Sequence, residues 1–530
     1  MSVMPGMSRL FLDLCAGAQT AQAFFPSSES SSKWQQRPAL PAHWPELVKL
    51  LAAQNPANAI APAALAGGAG IVVTGQQVGL FGGPLLIPFK AATAIARARR
   101  ATATGSPHVA VFWLATEDHD FEEIDHVSFP AGKALEKLQY AQAGKETGEP
   151  APPSVGRIVI DEGIAPLVER AAELLGPSEA TDALTAAWKP GRTFAQAFAD
   201  FYAKIFAAQG LLVLDASGRD FHRMGAPVLR AALERADELH AALLERNNQL
   251  EAAGYHAQVA VTAQSSLLFL IDEQTGARLA LKRTAPTVAE PAGLWQAGRQ
   301  SYSTSDLAGI LEAKPERISP SALLRPVFQD FLLSNSLVIG GPAEIAYFAQ
   351  SAVLYESILG RQTPFQPRMF ATLIEPSVAK LLERHELSLE QVLQENSSSL
   401  AQRLAARSMP IETKQKLAAA GNALDAELTA LVDWMQSQDK GLGQSAETAA
   451  GKINYQMNRM RTLAANFQLQ KEASLARHAE SICQALFPDG VLQERVHGAA
   501  YYFARYGLEL AEMLCTRAGN SCAGHTAIWL

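Results

Sequence analysis

The sequence predicts an α/β protein: a parallel-sheet core joined to a separate helical domain. Three observations carry this. An apolar strand, a glycine turn with Gly-Gly-Pro and a helix occur twice, in "IVVTGQQVGLFGGPLLIPFK" (71–90) and in "SLVIGGPAEIAYFAQ" (336–350). A second strand pattern follows the first helix, and strand–helix–strand units build parallel sheets. From Pro376 to about Gln484 the chain is polar, Ala- and Leu-rich, and nearly free of Gly and Pro apart from Pro410 and a glycine cluster near 441–443.

The elements follow in order. "IVVT", 71–74, is a β-branched run that ends in glycines, which predicts a buried strand. Pro84 suits the first position of the next helix, where its missing N–H costs nothing, and that helix runs to about Arg100. "HVAVFWLA", 108–115, is the second strand. A helical stretch near 193–208 leads into a third strand, "GLLVLDAS", 210–217. "SSLLFLIDEQTGARLALKR", 265–283, reads as a hairpin turning at Gln274-Thr275-Gly276. In the helical region Ile453, Met457, Met460, Ala464 and Phe467 are spaced 4, 3, 4, 3, a heptad seam. It predicts an antiparallel helical hairpin or a coiled coil, with a single helix packed on a domain as the alternative. The tail holds a helix over about 492–514 and a closing strand, "HTAIWL".

Composition limits the function classes. A chain of 530 residues predicts at least two domains. A net charge of −7 argues against broad nucleic-acid binding. Four cysteines make no disulfide framework, which favours a reducing cytoplasm. Leu50 to Phe89 carries no charge, but Asn55, Asn58, Gln76, Gln77 and many Gly and Pro argue against a membrane span. The N-terminus, interrupted by Asp13, reads as a structural element rather than a signal peptide.

Two stretches point to chemistry. The turn Thr74-Gly75-Gln76-Gln77, with Gly79, Gly82, Gly83 and Pro84, fits neither the dinucleotide nor the Walker spacing. Glycines still allow close backbone approach to a ligand, and a helix N-terminus attracts anions. Lys90, two turns into the helix, could supply a cation near the turn; tight strand–helix packing is the plain alternative. The second stretch, "EDHDFEEID" (117–125), puts six acids into nine residues at a strand end, where open α/β sheets bind ligands. Crowding should raise some of their pKa values. Glu117, Asp118 and Asp120 could bind Mg²⁺, hold an ammonium or act as a base, and His119 could shuttle a proton. Helix-dipole stabilisation alone would account for Glu122 and Glu123. Cys515, Cys522 and His525 fall one ligand short of a closed zinc site, so no tightly bound metal is expected.

Taken with "RPVFQD" (325–330), "GGPAEIAY" (340–347), "LQERVHG" (492–498) and "HTAIWL", these stretches resemble the bacillithiol-biosynthesis cysteine-adding enzyme family, the cysteine ligases, over essentially the whole chain. The resemblance implies a Rossmann-like core with connecting inserts over 1–375, the 265–283 hairpin included. It implies a coiled-coil domain over 376–487 that pairs two subunits, and a C-terminal helix and strand, 488–530, returning to the core. The implied reaction adds L-cysteine to glucosaminyl malate, with an adenine nucleotide, ATP or ADP, as cofactor. The matching motif positions are Thr74 to Pro84, Glu117 to Asp120, Arg325 to Asp330 (with Gln329) and Gly341 to Tyr347 (with Pro342 and Glu344).

The chemistry agrees. Amide formation in water is uphill, so the cysteine carboxylate must be activated, and the attacking amine must lose a proton to Asp118, His119 or Asp120. The two carboxylates of malate make Arg325 and Lys90 natural partners. Arg325 could instead form a structural ion pair with Asp330. Glu344 could simply cap its helix, and Tyr347 could be core or site. Another Rossmann-like nucleotidyl transferase, or a non-catalytic dimeric nucleotide-binding scaffold, remains the competing expectation.

Overall fold

The computed structural model describes residues 7–25, 34–132, 134–141, 153–284, 294–520 and 524–530. The elements that build the site are, in chain order, β1 (Gly70–Gln76), α1 (Leu86–Ala103), β2 (His108–Leu114), β3 (Leu212–Asp215), α2 (Arg219–Glu234), β4 (Leu268–Ile271), β5 (Arg278–Ala280), β6 (Ile318–Pro320), α3 (Arg325–Leu333), β7 (Leu337–Gly340), α4 (Pro342–Leu359) and β8 (Phe365–Pro367). The chain divides into two compact units. One comprises Met1–Ala131, Leu135–Ala371 and Glu494–Thr526; the other comprises Gly132–Ala134, Thr372–Gln493 and Ala527–Leu530.

The first unit is the Rossmann-like core. Its five-stranded sheet has the order β8-β7-β1-β2-β3, and every neighbouring pair is parallel. β1 lies at the centre because Ile71, Val72 and Val73 are fully buried. Parallel strands covered on both faces read as continuous apolar runs, as here. Ile71, Val73, Val111, Trp113, Leu212 and Leu214 share one core cluster with Phe221, Val228 and Leu229 of α2. On the opposite face Phe112 stacks on Tyr202 at 5.7 Å. The 265–283 hairpin is present as β4 and β5, and β6 pairs with β4 on its other side.

Two local expectations need correction. Pro84 does not open α1, which begins at Leu86. Leu80–Gly82 forms a 3₁₀ turn, and Pro84 pairs in an isolated bridge with Gly498. The backbone there is claimed by a distant segment: Leu85 N–H donates to the His497 carbonyl, and Ala499 N–H donates to the Gly83 carbonyl. In the second Gly-Gly-Pro segment no such partner intervenes, and Pro342 is the first residue of α4. The tail helix expected over 492–514 is three helices, Gln493–Val496, Ala499–Tyr506 and Leu510–Asn520. They break at Gly498 and at Gly507, where φ is +76°.

The second unit is helical. Helices Ile411–Gln438 and Lys440–Lys471 reverse direction at Asp439, whose carboxylate accepts from Leu442 N–H at 2.9 Å. The pair is antiparallel: Gly421 faces Arg461, Gly443 faces Gln436, and Gln436 donates to Glu447 at 2.7 Å. Within the heptad seam Met457 is buried, but Ile453, Met460 and Phe467 are 43%, 58% and 67% exposed. Among the described residues no helix is long and apolar enough to cross a membrane.

Candidate functional site

The C-terminal ends of β1, β2, β3, β7 and β8 open into one cavity of about 420 Å³, closed on the other side by β5, by Pro320–Ala322 and by Arg495. This is where an open parallel sheet leaves room for a ligand, because the connections leave the strands in different directions there.

The glycine turn divides in two. Gly75, Gln76 and Gln77 line the cavity. Thr74 does not: its hydroxyl donates to the Ile339 carbonyl at 3.0 Å and ties β1 to β7. Gly79, Gly82 and Gly83 serve packing. A Cβ on Gly82 would lie 2.5 Å from the Phe201 ring, and one on Gly79 would lie 3.1 Å from Gly83 Cα. The Gly82 carbonyl accepts from the Tyr202 hydroxyl at 2.8 Å.

Lys90 reaches the turn from α1 but is not a free cation. Its ammonium donates to the Gly75 carbonyl and to Gln76 Oε1, both at 2.7 Å, and pairs with Glu344. An ammonium has three donors, and all three are engaged. Burial pushes its pKa down, and Glu344 opposes that. Glu344 also accepts from Gly341 N–H at 2.8 Å, so it caps α4 and neutralises Lys90 at once.

Arg325, at the start of α3, does not pair with Asp330. It donates to the Tyr347 hydroxyl at 2.8 Å. Asp330 is fully buried and pairs instead with Arg361 at 2.8 Å, while accepting from Asn335 N–H. Gln329 is buried beside it, so only the first residue of "RPVFQD" reaches the cavity. Burial pushes the Tyr347 hydroxyl up to about 12, which keeps it neutral and able both to accept from Arg325 and to donate.

The acidic stretch does not crowd as expected. Glu117, Asp118 and Glu123 line the cavity. Asp120 and Glu122 are exposed, and Asp125 is held by His126 and Gln139, both at 2.8 Å. Asp118 accepts from Gln77 Nε2 at 2.6 Å and from His119 N–H at 2.7 Å. The His119 side chain is 46% exposed, lies 3.5 Å from Arg278 Nη1 and is outside the cavity lining. Glu117 faces His222 of α2, Nε2 to Oε1 at 3.2 Å. His222 is fully buried, and its Nδ1 lies 3.0 Å from the Ile318 carbonyl. Both ring nitrogens therefore lie near oxygen atoms, although Nε2 makes no well-aligned hydrogen bond to Glu117. The shifts agree in direction. Burial is the largest influence and would lower His222, but the Glu117 charge together with hydrogen bonding to Glu117 and to the Ile318 and Pro315 backbone raises the pKa. Burial would raise Glu117, but His222 and Arg278 hold its carboxyl below the usual range.

Sequence reasoning missed His222, Arg278, Arg368 and Arg495. Arg278 is buried; it donates to Ser319 Oγ and the Pro320 carbonyl and lies over the Phe269 ring at 3.9 Å. Arg368 follows β8 and pairs with Glu494 at 2.6 and 3.0 Å, with both side chains almost fully buried. A signal existed for Glu494 and Arg495, since both lie in "LQERVHG".

The first turn of α4, Gly341 to Ala343, borders the cavity and suits a phosphate or carboxylate. Among the described residues no group of three or more His, Cys, Asp or Glu is arranged to hold a metal ion. Cys522 lies outside the described residues; Cys515 is buried, and burial pushes its thiol up to about 12.

The relatives of the chain agree with this architecture. A family model described as Bacillithiol biosynthesis BshC, N-terminal Rossmann-like domain, matches residues 3–369, and one described as Bacillithiol biosynthesis BshC, C-terminal coiled-coil domain, matches residues 371–529. A protein of Koribacter versatilis named "Putative cysteine ligase BshC" is 39% identical over 538 residues, covering 99% of this chain and 98% of the relative. A protein of the same name in Solibacter usitatus is 33% identical over 535 residues, again covering 99% and 98%. A third, from Salinibacter ruber, is 29% identical over 548 residues, covering 98% and 96%. With both family models and full-length relatives in agreement, the chain belongs to the BshC family of bacillithiol biosynthesis.

Proposed function

We propose that the protein is a cysteine ligase that joins the carboxylate of L-cysteine to the amine of glucosaminyl malate, forming bacillithiol with ATP or ADP as the adenine nucleotide involved. The observation that carries this reading is the strand-end cavity, which brings guanidinium and carboxylate side chains together in a chain of this family. Guanidinium groups suit the malate carboxylates. Asp118, a carboxylate fixed at the cavity wall, suits removal of a proton from the attacking amine. The nucleotide would activate the cysteine carboxylate, and the first turn of α4 is the surface best suited to its phosphates. The described carboxylates offer no cage for a resident metal, so Mg²⁺ would enter only with the nucleotide. Three cysteines free of disulfides, Cys15, Cys483 and Cys515, fit a cytoplasmic setting. Neither nucleic acid nor a membrane enters the proposal.

Deletion of the gene in its own host should abolish bacillithiol and leave glucosaminyl malate to accumulate. Unchanged thiol levels would remove the ligase reading. Calorimetry with ATP and ADP, with and without Mg²⁺, tests the nucleotide, and no binding at millimolar concentration would exclude it.

We also propose that the protein is a homodimer paired through the helical unit. Ile453, Met460 and Phe467 recur every seven residues and stay exposed on the single chain, as do Leu431 and Trp434 on the partner helix. Such a stripe needs cover. Light scattering should give twice the chain mass, and Met460→Glu with Phe467→Glu should halve it. A full-length protein that is monomeric at micromolar concentration would refute this.

A further inference from the structure

Tyr347 joins the core to the cavity. It lies in the second turn of α4, and helical side chains lean toward the N-terminus, here the cavity side. Its ring packs on Phe348 at 5.0 Å and against the main core cluster, which fixes the place of the hydroxyl. That hydroxyl accepts from Arg325 at 2.8 Å, and among the described residues it makes no other hydrogen bond. A guanidinium can only donate, so the phenolic proton has no acceptor among them. Glu344 and Asp118 lie near enough for their charges to act on Tyr347, but both are engaged elsewhere. Glu344 takes Lys90 and Gly341 N–H, and Asp118 takes Gln77 and His119 N–H. A half-buried donor without an acceptor costs free energy until a ligand supplies one.

We infer that Tyr347 is a catalytic residue whose hydroxyl donates to the acyl oxygen as the amide forms. The inference rests on the ligase reading and adds a step to it. The attacking amine loses a proton to Asp118, its lone pair forms the C–N bond at the activated cysteine carbon, and the C=O π pair moves onto oxygen. The Tyr347 O–H meets that charge. The C=O then re-forms, and the phosphate-linked leaving group departs with its bonding pair. Attack therefore needs a proton acceptor and an oxyanion donor at one cavity, and Asp118 and Tyr347 both line it. The Arg325 cation strengthens the phenol as a donor, because its charge-assisted hydrogen bond draws electron density from the oxygen. Burial, which pushes the hydroxyl up to about 12, keeps the proton in place for this role.

Tyr347→Phe keeps the ring and removes only the hydroxyl, so its thermal melt should match wild type. Formation of bacillithiol from labelled cysteine in a deletion strain carrying the variant should slow by about 10²-fold, the scale for losing one oxyanion donor. Calorimetry on the full-length chain should show malate affinity unchanged. A tetrahedral phosphonamidate analogue of the new amide should bind wild type more tightly than malate does, and the variant should weaken it by about tenfold or more. If wild-type protein fails to restore bacillithiol to the strain, the ligase reading falls and this inference with it. If wild type restores it and Tyr347→Phe matches the wild-type rate, the inference alone falls. Malate and the analogue weakened alike would make Tyr347 a binding residue and overturn the catalytic role. Wild-type protein that restores bacillithiol yet holds the analogue no tighter than malate would overturn it too.

Discussion

Asp118→Asn is expected to cut bacillithiol by about 10²-fold or more in a deletion strain carrying the variant, the usual scale for losing a general base. His119→Ala should cost far less. The sequence gives the two residues equal standing, since they are adjacent at the end of β2. The structure separates them. Asp118 lines the cavity, with its carboxylate oxygens fixed by Gln77 Nε2 and His119 N–H. His119 is half exposed and turns toward Arg278 outside the lining. Glu117 is the weaker candidate for the base, because His222 and Arg278 hold its carboxyl below the ordinary range. A base with a depressed pKa gains little from taking a proton. The Asn side chain keeps the shape and one acceptor, so the folding cost should stay near 1–2 kcal/mol, about the worth of the lost hydrogen bonds. Cellular thiol measured beside a thermal melt of each purified variant decides. Wild-type bacillithiol from a folded Asp118→Asn protein would remove Asp118 from the chemistry. A loss from His119→Ala as deep as that from Asp118→Asn would restore His119 as a proton relay.

What the sequence revealed follows from range. β1, β2 and β7 are legible because an apolar, β-branched run between glycines has one stable place, a buried parallel strand. Gly75 to Gln77, Glu117 and Asp118, and Gly341 are legible as neighbours for a related reason: each closes such a strand, and strand ends in a parallel sheet meet. Pro84 was misjudged because local chemistry permits it at a helix start, while pairing with segment 497–499 decides otherwise. Lys90 looked like a spare cation because spacing gives its reach but not its burial. Once buried, it had to find three acceptors inside the protein. His222, Arg278, Arg368 and Arg495 lie 105, 161, 251 and 378 residues beyond Glu117, so no spacing rule could group them; only the folded sheet does. Glu117 shows the limit of reading charge from a string. Six acids in nine residues suggest repulsion, yet Glu117 meets the buried His222 of α2.

Glu494→Gln is expected to destabilise the first unit by about 3–5 kcal/mol, the scale for leaving one member of a buried ion pair alone. Arg368 and Glu494 are 1% and 0% exposed at their side chains, and two hydrogen bonds join them. Glu494 also accepts from Ala371 N–H at 3.2 Å, and the Arg368 guanidinium lies over the Phe370 ring at 4.2 Å. An amide at 494 keeps the size and part of the hydrogen bonding but leaves the Arg368 charge without its counter-charge in a site that water does not reach. The charge, rather than the contact, is therefore what the variant tests. Removing both charges should cost much less: Arg368→Met with Glu494→Leu should lie closer to wild type than either single change, because desolvation of the pair is avoided altogether. The double variant carries a second expectation. It should fold and yet bind malate more weakly, since Arg368 lines the cavity beside Gly341. Urea unfolding of the wild type, both single variants and the double variant, with malate calorimetry on those that fold, separates the two roles. A Glu494→Gln protein within about 1 kcal/mol of wild type would show that the pair is solvated after all. A double variant as unstable as the singles would assign the stability to side-chain shape instead of charge.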